Sequence, residues 1–244
     1  MSLEYLDENE EQAPEDDHRA APRKNVPLYT IVLLACIVAV TLAQLVFGLD
    51  NSIQAAGFDK QAFIRHREYW RILTGAALHG DVLHILMNGY ALYSIGSILE
   101  MLSNRAHLAI VFLLSALGGG ILSLIFLPDG ISVGASGGIV GLIGYLAVYA
   151  FRRRQFISPQ FRRSLLINIG FILIFGLALY QVVDNFGHIG GLLTGVVYGL
   201  IQIPSNEYVD PRDASGFGSG VGLVALGIFI ATSLFSIFVI ARYI

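Results

Sequence analysis

Apolar residues in this chain gather into seven long runs, separated by short polar segments. Each run is close to the length of ~20 residues that a helix needs to cross a hydrocarbon core. A helix also satisfies its backbone hydrogen bonds internally, as lipid requires. The pattern therefore predicts an all-α, polytopic membrane bundle with spans at Leu28–Leu49, Val82–Met101, His107–Leu127, Gly134–Phe151, Ser164–Val183, Phe186–Ile203 and Gly220–Ile240.

Composition supports a membrane protein and divides the chain. Of the 244 residues, 55% are hydrophobic and 14% are charged, whereas about a quarter are charged in soluble domains. Residues 1–26 form an acidic head that is predicted to be disordered and does not resemble a signal peptide. Residues 27–203 hold six spans, 204–219 are a linker, and 220–244 hold the last span.

Two absences limit the classes of function. Cys36 is the single cysteine, so neither an internal disulfide nor a multi-cysteine metal site is expected. No basic stripe with interleaved aromatic residues indicates nucleic-acid binding. We expect no cofactor and no metal.

The basic residues predict an orientation. With seven spans, ten of the 15 Lys and Arg residues fall on one side, including the arginine-rich loop 152–163. The positive-inside rule places this side and the N-terminus in the cytoplasm, and the C-terminus outside. The protein is then an integral protein, expected in the plasma (inner) membrane. The aromatic-rich first loop, Asp50–Asp81, is expected to lie in the outer interface.

Polar side chains collect at one depth of the predicted bundle. His84 and Asn88 share one face of the second span, Ser136 begins the fourth, and His188 begins the sixth. These helices run inward from the same side, which places the four side chains within roughly 10 Å of that surface.

Alone, each of these residues has a structural explanation: small residues pack helices, and polar residues tie helices together or line ion pathways. Together they favour catalysis. Ser136 is the candidate nucleophile and His188 its base, while His84, Asn88 and the Ser136 amide are candidate donors to an oxyanion. A transporter would instead need polar residues continuing through the membrane.

Neighbouring residues receive structural interpretations. Asp184 is expected to cap the sixth span rather than to orient His188, and Glu100 and Arg71 are expected to be structural. Glycines recur every four residues on the fourth and sixth spans, which predicts a close approach of these helices. No H-E-x-x-H motif is present, and no aspartate lies deep in a span, so zinc and aspartyl proteases are disfavoured.

The motifs resemble those of the rhomboid protease family over roughly residues 28–203. The matching elements are Trp70-Arg71, His79, His84-x-x-x-Asn88, Gly134-Ala135-Ser136-Gly137 and His188-x-x-Gly191-x-x-x-Gly195. The resemblance implies a six-helix protease core with a seventh helix added, and a Ser136–His188 dyad without a carboxylate. It also implies single-span membrane proteins as substrates, cleaved in or near their transmembrane segments.

One position departs from the family pattern. Many members carry an aromatic residue four positions after the nucleophile, packed on the catalytic histidine, and this chain has Val140. A rhomboid-like chaperone or binding protein without protease activity is therefore the alternative.

Overall fold

A computed structural model describes residues 26–179, 182–206, 208–210, 212 and 215–243. The predicted acidic head lies outside these ranges, apart from Val26. The described residues form ten helices and two short strands. In chain order these are α1 (Leu28–Phe47), α2 (Leu49–Ala56), β1 (Phe58–Asp59), α3 (Lys60–Arg65), α4 (Arg71–Ala77), α5 (Val82–Leu102), α6 (Arg105–Phe126), β2 (Ile131–Ser132), α7 (Ser136–Arg152), α8 (Pro159–Ala178), α9 (Asn185–Gln202) and α10 (Gly216–Tyr243).

The all-α prediction is confirmed, and a helix occupies each of the seven predicted spans. Five of these helices, α1, α5, α6, α8 and α10, are long and apolar enough to cross a membrane. Helix α7 is apolar but has 17 residues. The division into six core spans plus one therefore remains a prediction.

The first loop is folded. Strand β1 pairs antiparallel with β2, and Asp59 caps α3 by accepting hydrogen bonds from the backbone of Gln61 and Ala62. Arg71 donates to the carbonyl oxygens of Gln54 and Gly57 and forms an ion pair with Glu68. The arginine thus anchors the loop, as the sequence predicted.

Glycines set the spacing of the central helices. Helix α9 makes its most extensive contacts with α7 and α6. A Cβ atom at Gly191 would lie 2.1 Å from the carbonyl oxygen of Gly137, and one at Gly195 would lie 1.9 Å from that of Gly141. No side chain fits at such distances, so the predicted close approach of these helices is confirmed.

Helix α10 is packed onto the other helices. Its Gly222 lies against Ala106 of α6, where an added Cβ would approach to 2.4 Å. The Phe229 ring contacts Phe112 edge-to-face, with centroids 5.0 Å apart. The Phe235 ring contacts Trp70 of the first loop in the same way, at 5.3 Å. Helix α10, the seventh predicted span, therefore packs against both α6 and the first loop.

A polar cluster joins the C-terminal halves of α7 and α9 to the start of α6. His107 bonds through one ring nitrogen to the Tyr198 hydroxyl and through the other to the Gln202 amide, both at 2.8 Å. The Tyr145 hydroxyl donates to the side-chain oxygen Oε1 of Gln202 at 2.6 Å and lies 2.7 Å from the Ser103 hydroxyl. These groups satisfy one another, which suits a structural tie between helices.

We predict that Gly195→Ala destabilises the fold, because its methyl group must push α9 away from the Gly141 carbonyl. Overpacking of this kind typically costs about 1–3 kcal/mol. Gly227→Ala is the matched control, since nothing lies within 4 Å of its added Cβ and alanine favours helix. Thermal unfolding in detergent should show a lower midpoint for Gly195→Ala alone. Equal midpoints for both variants would contradict the packing.

Candidate active site

Three helix N-termini bring the candidate residues together. Asp81 caps α5 by accepting a hydrogen bond from the backbone of His84 at 2.8 Å. Ser136 is the first residue of α7. Asp184 caps α9, accepting a 2.8 Å hydrogen bond from the backbone of Gly187, next to His188. The candidate side chains thus lie in the first turns of three helices, and aspartate caps fix the starts of two of them, α5 and α9.

Ser136 and His188 are in direct contact. Their Oγ and Nε2 atoms lie 2.9 Å apart, within hydrogen-bonding distance. For Nε2 to accept the hydroxyl proton, the neutral ring must carry its own proton on Nδ1. Within the described ranges Nδ1 is buried and has no hydrogen-bond partner. Asp184 therefore acts as a cap, as expected, and does not bond to the ring.

His84 and Asn88 lie beside the backbone that leads into Ser136. Gly134 has φ +125°, and a Cβ atom there would lie 2.8 Å from His84 Nε2 and 3.5 Å from Asn88 Nδ2. Only glycine fits this conformation and this space. The site therefore requires Gly134, two residues before the serine.

Both side chains have a donor free for the site. His84 Nδ1 accepts a long, 3.4 Å hydrogen bond from the backbone of Gly80, which leaves the ring proton on Nε2. Asn88 is buried, and its Nδ2 atom has no partner among the described residues. A buried amide without a partner is costly, so an acceptor that binds here would be favoured. It could accept hydrogen bonds from both His84 Nε2 and Asn88 Nδ2.

A small cavity opens at the Ser136–His188 pair. Its volume is about 50 Å³, and a water molecule needs at least ~10–15 Å³ by this measure. A few water molecules therefore fit beside the hydroxyl group. The cavity is lined by Phe58, Ile72, Gly75, Ala76, Ala116, Gly119, Gly120, Ser132, Val133, Gly134, Ser136, Gly137, Asp184, Gly187 and His188.

His79 supports the ring of His84. The two rings meet edge-to-face, with centroids 5.1 Å apart. The backbone of His79 forms reciprocal 2.9 Å hydrogen bonds with the Gln44 side chain of α1. Burial lowers the pKa of His79 to about 3, so its ring stays neutral. Gln44 was not predicted, although a glutamine inside an apolar run was an available signal.

Val140 is buried one turn after Ser136. Of the ring contacts between described residues, none involves His188. This agrees with valine at the position where many members of the family that the motifs resemble carry an aromatic residue.

Comparisons with known proteins agree with these motifs. The family model described as Rhomboid domain matches residues 66–205. RHOMBOID-like protein 2 of Arabidopsis thaliana is 37% identical over 166 residues, which cover 66% of this chain and 52% of that protein. RHOMBOID-like protein 6, mitochondrial, of the same plant is 34% identical over 165 residues, covering 66% and 53%.

A bacterial relative carries the name of an enzyme. Rhomboid protease GluP of Bacillus subtilis (strain 168) is 32% identical over 172 residues, which cover 69% of this chain and 34% of that protein. The chain thus spans between about a third and about half of the length of these relatives.

We predict a pH-dependent contribution of His79 to stability. Its pKa is about 3 in the folded state, against 6.5 ordinarily, so the unfolded state binds more protons between these values. Stability is therefore fully present above pH 6.5 and falls as the pH decreases, by up to about 1.4 kcal/mol per pH unit. Unfolding midpoints from pH 7.5 to 4.5 should decrease more steeply for the parent than for His79→Leu. Parallel curves would contradict this assignment.

Proposed function

Because the chain belongs to the rhomboid family, we propose that it is an intramembrane serine endopeptidase that uses a Ser136–His188 dyad. The observation that supports this most strongly is the 2.9 Å contact between Ser136 Oγ and His188 Nε2. At this distance the histidine ring could accept the serine proton, as covalent catalysis requires of a nucleophile and its base. The name of GluP supports the same reaction class.

In the first step His188 Nε2 takes the hydroxyl proton while Ser136 Oγ attacks the carbonyl carbon of the substrate. The carbonyl oxygen becomes an oxyanion that needs aimed donors. His84 Nε2–H, the Asn88 amide and the Ser136 backbone N–H supply them; the last is unpaired because it begins a helix. The imidazolium then protonates the leaving amine as the peptide bond breaks, which leaves an ester on Ser136.

In the second step a water molecule hydrolyses the ester. The cavity beside the pair has room for it. His188 removes a proton from this water, the resulting hydroxide attacks the ester carbon, and the proton returns to Ser136 Oγ as the acid leaves. The dyad lies in the first turns of α7 and α9, so water needs to travel only a short distance from the nearer surface.

The same geometry limits the substrate. A cavity of about 50 Å³ holds only a few water molecules. A helix with its side chains is about 10–12 Å wide and does not fit into it. The cleaved segment must therefore be unwound near the surface. We propose single-span membrane proteins with locally unstable helices as substrates, within a bilayer that holds the N-terminus of the enzyme inside and its C-terminus outside. The plasma (inner) membrane is the proposed location, and one relative is named mitochondrial.

A non-proteolytic, chaperone-like binding protein is the second candidate, favoured by Val140 in place of an aromatic residue and by the absence of a ring contact on His188 among the described residues. Cleavage of a bound substrate distinguishes the protease from the binding protein.

We predict that the purified parent cleaves a model single-span substrate in liposomes, and that Ser136→Ala and His188→Ala each lower the rate by about 1,000-fold or more, as in other serine proteases. Gel analysis and mass spectrometry of the fragments measure this. Cleavage that survives both changes would exclude the dyad. A parent that binds the substrate without cutting it would favour the binding protein.

We predict that Asn88→Ala lowers kcat by about 100-fold or more with little change in KM, because an oxyanion donor acts mainly in the transition state. His84→Ala should behave alike. Met87→Ala is the matched control, since its neighbouring side chain is exposed on the bundle surface. Parent-like kcat for both Asn88→Ala and His84→Ala would exclude these residues from the oxyanion site.

A further inference from the structure

A lysine of the first loop is buried near the dyad. Lys60 begins α3, and its side chain is 2% exposed. A buried ammonium group is costly unless hydrogen-bonding partners satisfy it. Here Nζ donates a 2.6 Å hydrogen bond to the Ser132 hydroxyl of β2. Burial lowers the pKa of this lysine, and the negative charges of Asp184 and Asp59 oppose the shift.

The Ser132 hydroxyl connects Lys60 to the cap of α9. It donates in turn to Asp184 Oδ2 at 2.7 Å. The same oxygen accepts a short hydrogen bond from Ser123 of α6, and Oδ1 accepts from the Gly187 backbone. One carboxylate thus joins β2, α6 and α9, and through Ser132 it reaches the first loop.

This network adjoins the reacting groups. Asp184 lies one helical turn before His188, and both residues line the cavity, together with Ser132. The carboxylate does not bond to His188 Nδ1, so it is not the third member of a triad. It can act through the position of the α9 N-terminus and through its charge, because His188 becomes positive when it takes the serine proton.

We propose that the Lys60–Ser132–Asp184 chain is a positioning device for the dyad, in which the first loop holds the α9 carboxylate where it orients His188 and stabilises its protonated form. The inference rests on the proposed function. Its groups face one another from separate elements: Lys60 from α3, Ser132 from β2, Ser123 from α6, and His84 of α5 across the site.

The alternative is that Asp184 only caps α9. Asparagine caps helices about as well as aspartate, so Asp184→Asn keeps the cap, removes the charge and replaces the oxygen that accepts from Ser123 and Ser132 with an amide donor. An opposite charge within a few ångströms typically favours an ionised group by about tenfold or more. We therefore expect Asp184→Asn to lower kcat about tenfold while KM stays unchanged.

The test measures kcat and KM in liposomes for the parent, Asp184→Asn, Lys60→Met, Lys60→Arg and the double variant Lys60→Met/Asp184→Asn. Arg65→Met is the matched control, because it removes one positive charge from the exposed surface of the same helix. Lys60→Met should also lose about tenfold in kcat, Lys60→Arg should recover most of it, and Arg65→Met should match the parent. Because the residues form one network, the double variant should be about as slow as either single variant.

Thermal unfolding of each variant separates folding from catalysis. Lys60→Met leaves the partly buried carboxylate without a nearby cation. If that variant unfolds, kcat of Asp184→Asn and of the double variant tests the proposal. Parent-like kcat for Asp184→Asn overturns the proposal, and so do fully additive losses of about 100-fold in the double variant. An inactive parent overturns the proposed function, and this inference with it.

Discussion

The close approach of α7 and α9 is the constraint on which the site depends. Ser136 and His188 lie on these two helices, and their 2.9 Å contact requires backbones that nearly touch. Gly191 lies against Gly137 and Gly195 against Gly141, with no room for a Cβ atom at either place. In lipid, where burial of apolar surface does not drive helices together, such packing is a principal source of association. The same contacts therefore stabilise the bundle and bring Ser136 and His188 together.

A second constraint follows from the proposed chemistry. Hydrolysis needs water and unpaired polar groups, and both are costly deep among apolar side chains. The protein meets this by placing His84, Ser136 and His188 within the first turns of three helices, where backbone N–H groups are unpaired in any case. Polar caps at Asp81 and Asp184 satisfy some of these groups. The proposed oxyanion donors are among the groups that these caps leave unpaired.

Sequence patterns predicted much of this arrangement. The helices and the Asp184 cap follow from spacing within one segment. The meeting of Ser136 with His188, which are 52 positions apart, followed from their similar depth in two predicted spans that carry glycines every four residues. The contacts that were not predicted join segments far apart in the chain. Strands β1 and β2 have two residues each, too few for a periodic signal. Lys60 reaches Ser132 across 72 positions, and Gln44 reaches His79 across 35, pairings that periodicity cannot specify. The polar cluster of His107, Tyr145, Tyr198 and Gln202 was not predicted either, because its hydrogen bonds also join distant segments.

Ser136 as an activated nucleophile is tested most directly by the reaction of the purified protein with a fluorophosphonate, which forms an Oγ–phosphorus bond with an activated serine and releases fluoride. Mass spectrometry then locates the adduct without any need for a substrate. We expect one adduct, on Ser136, and its loss in His188→Asn. No adduct, an adduct on another serine, or labelling of Ser136 that does not depend on His188 would contradict it.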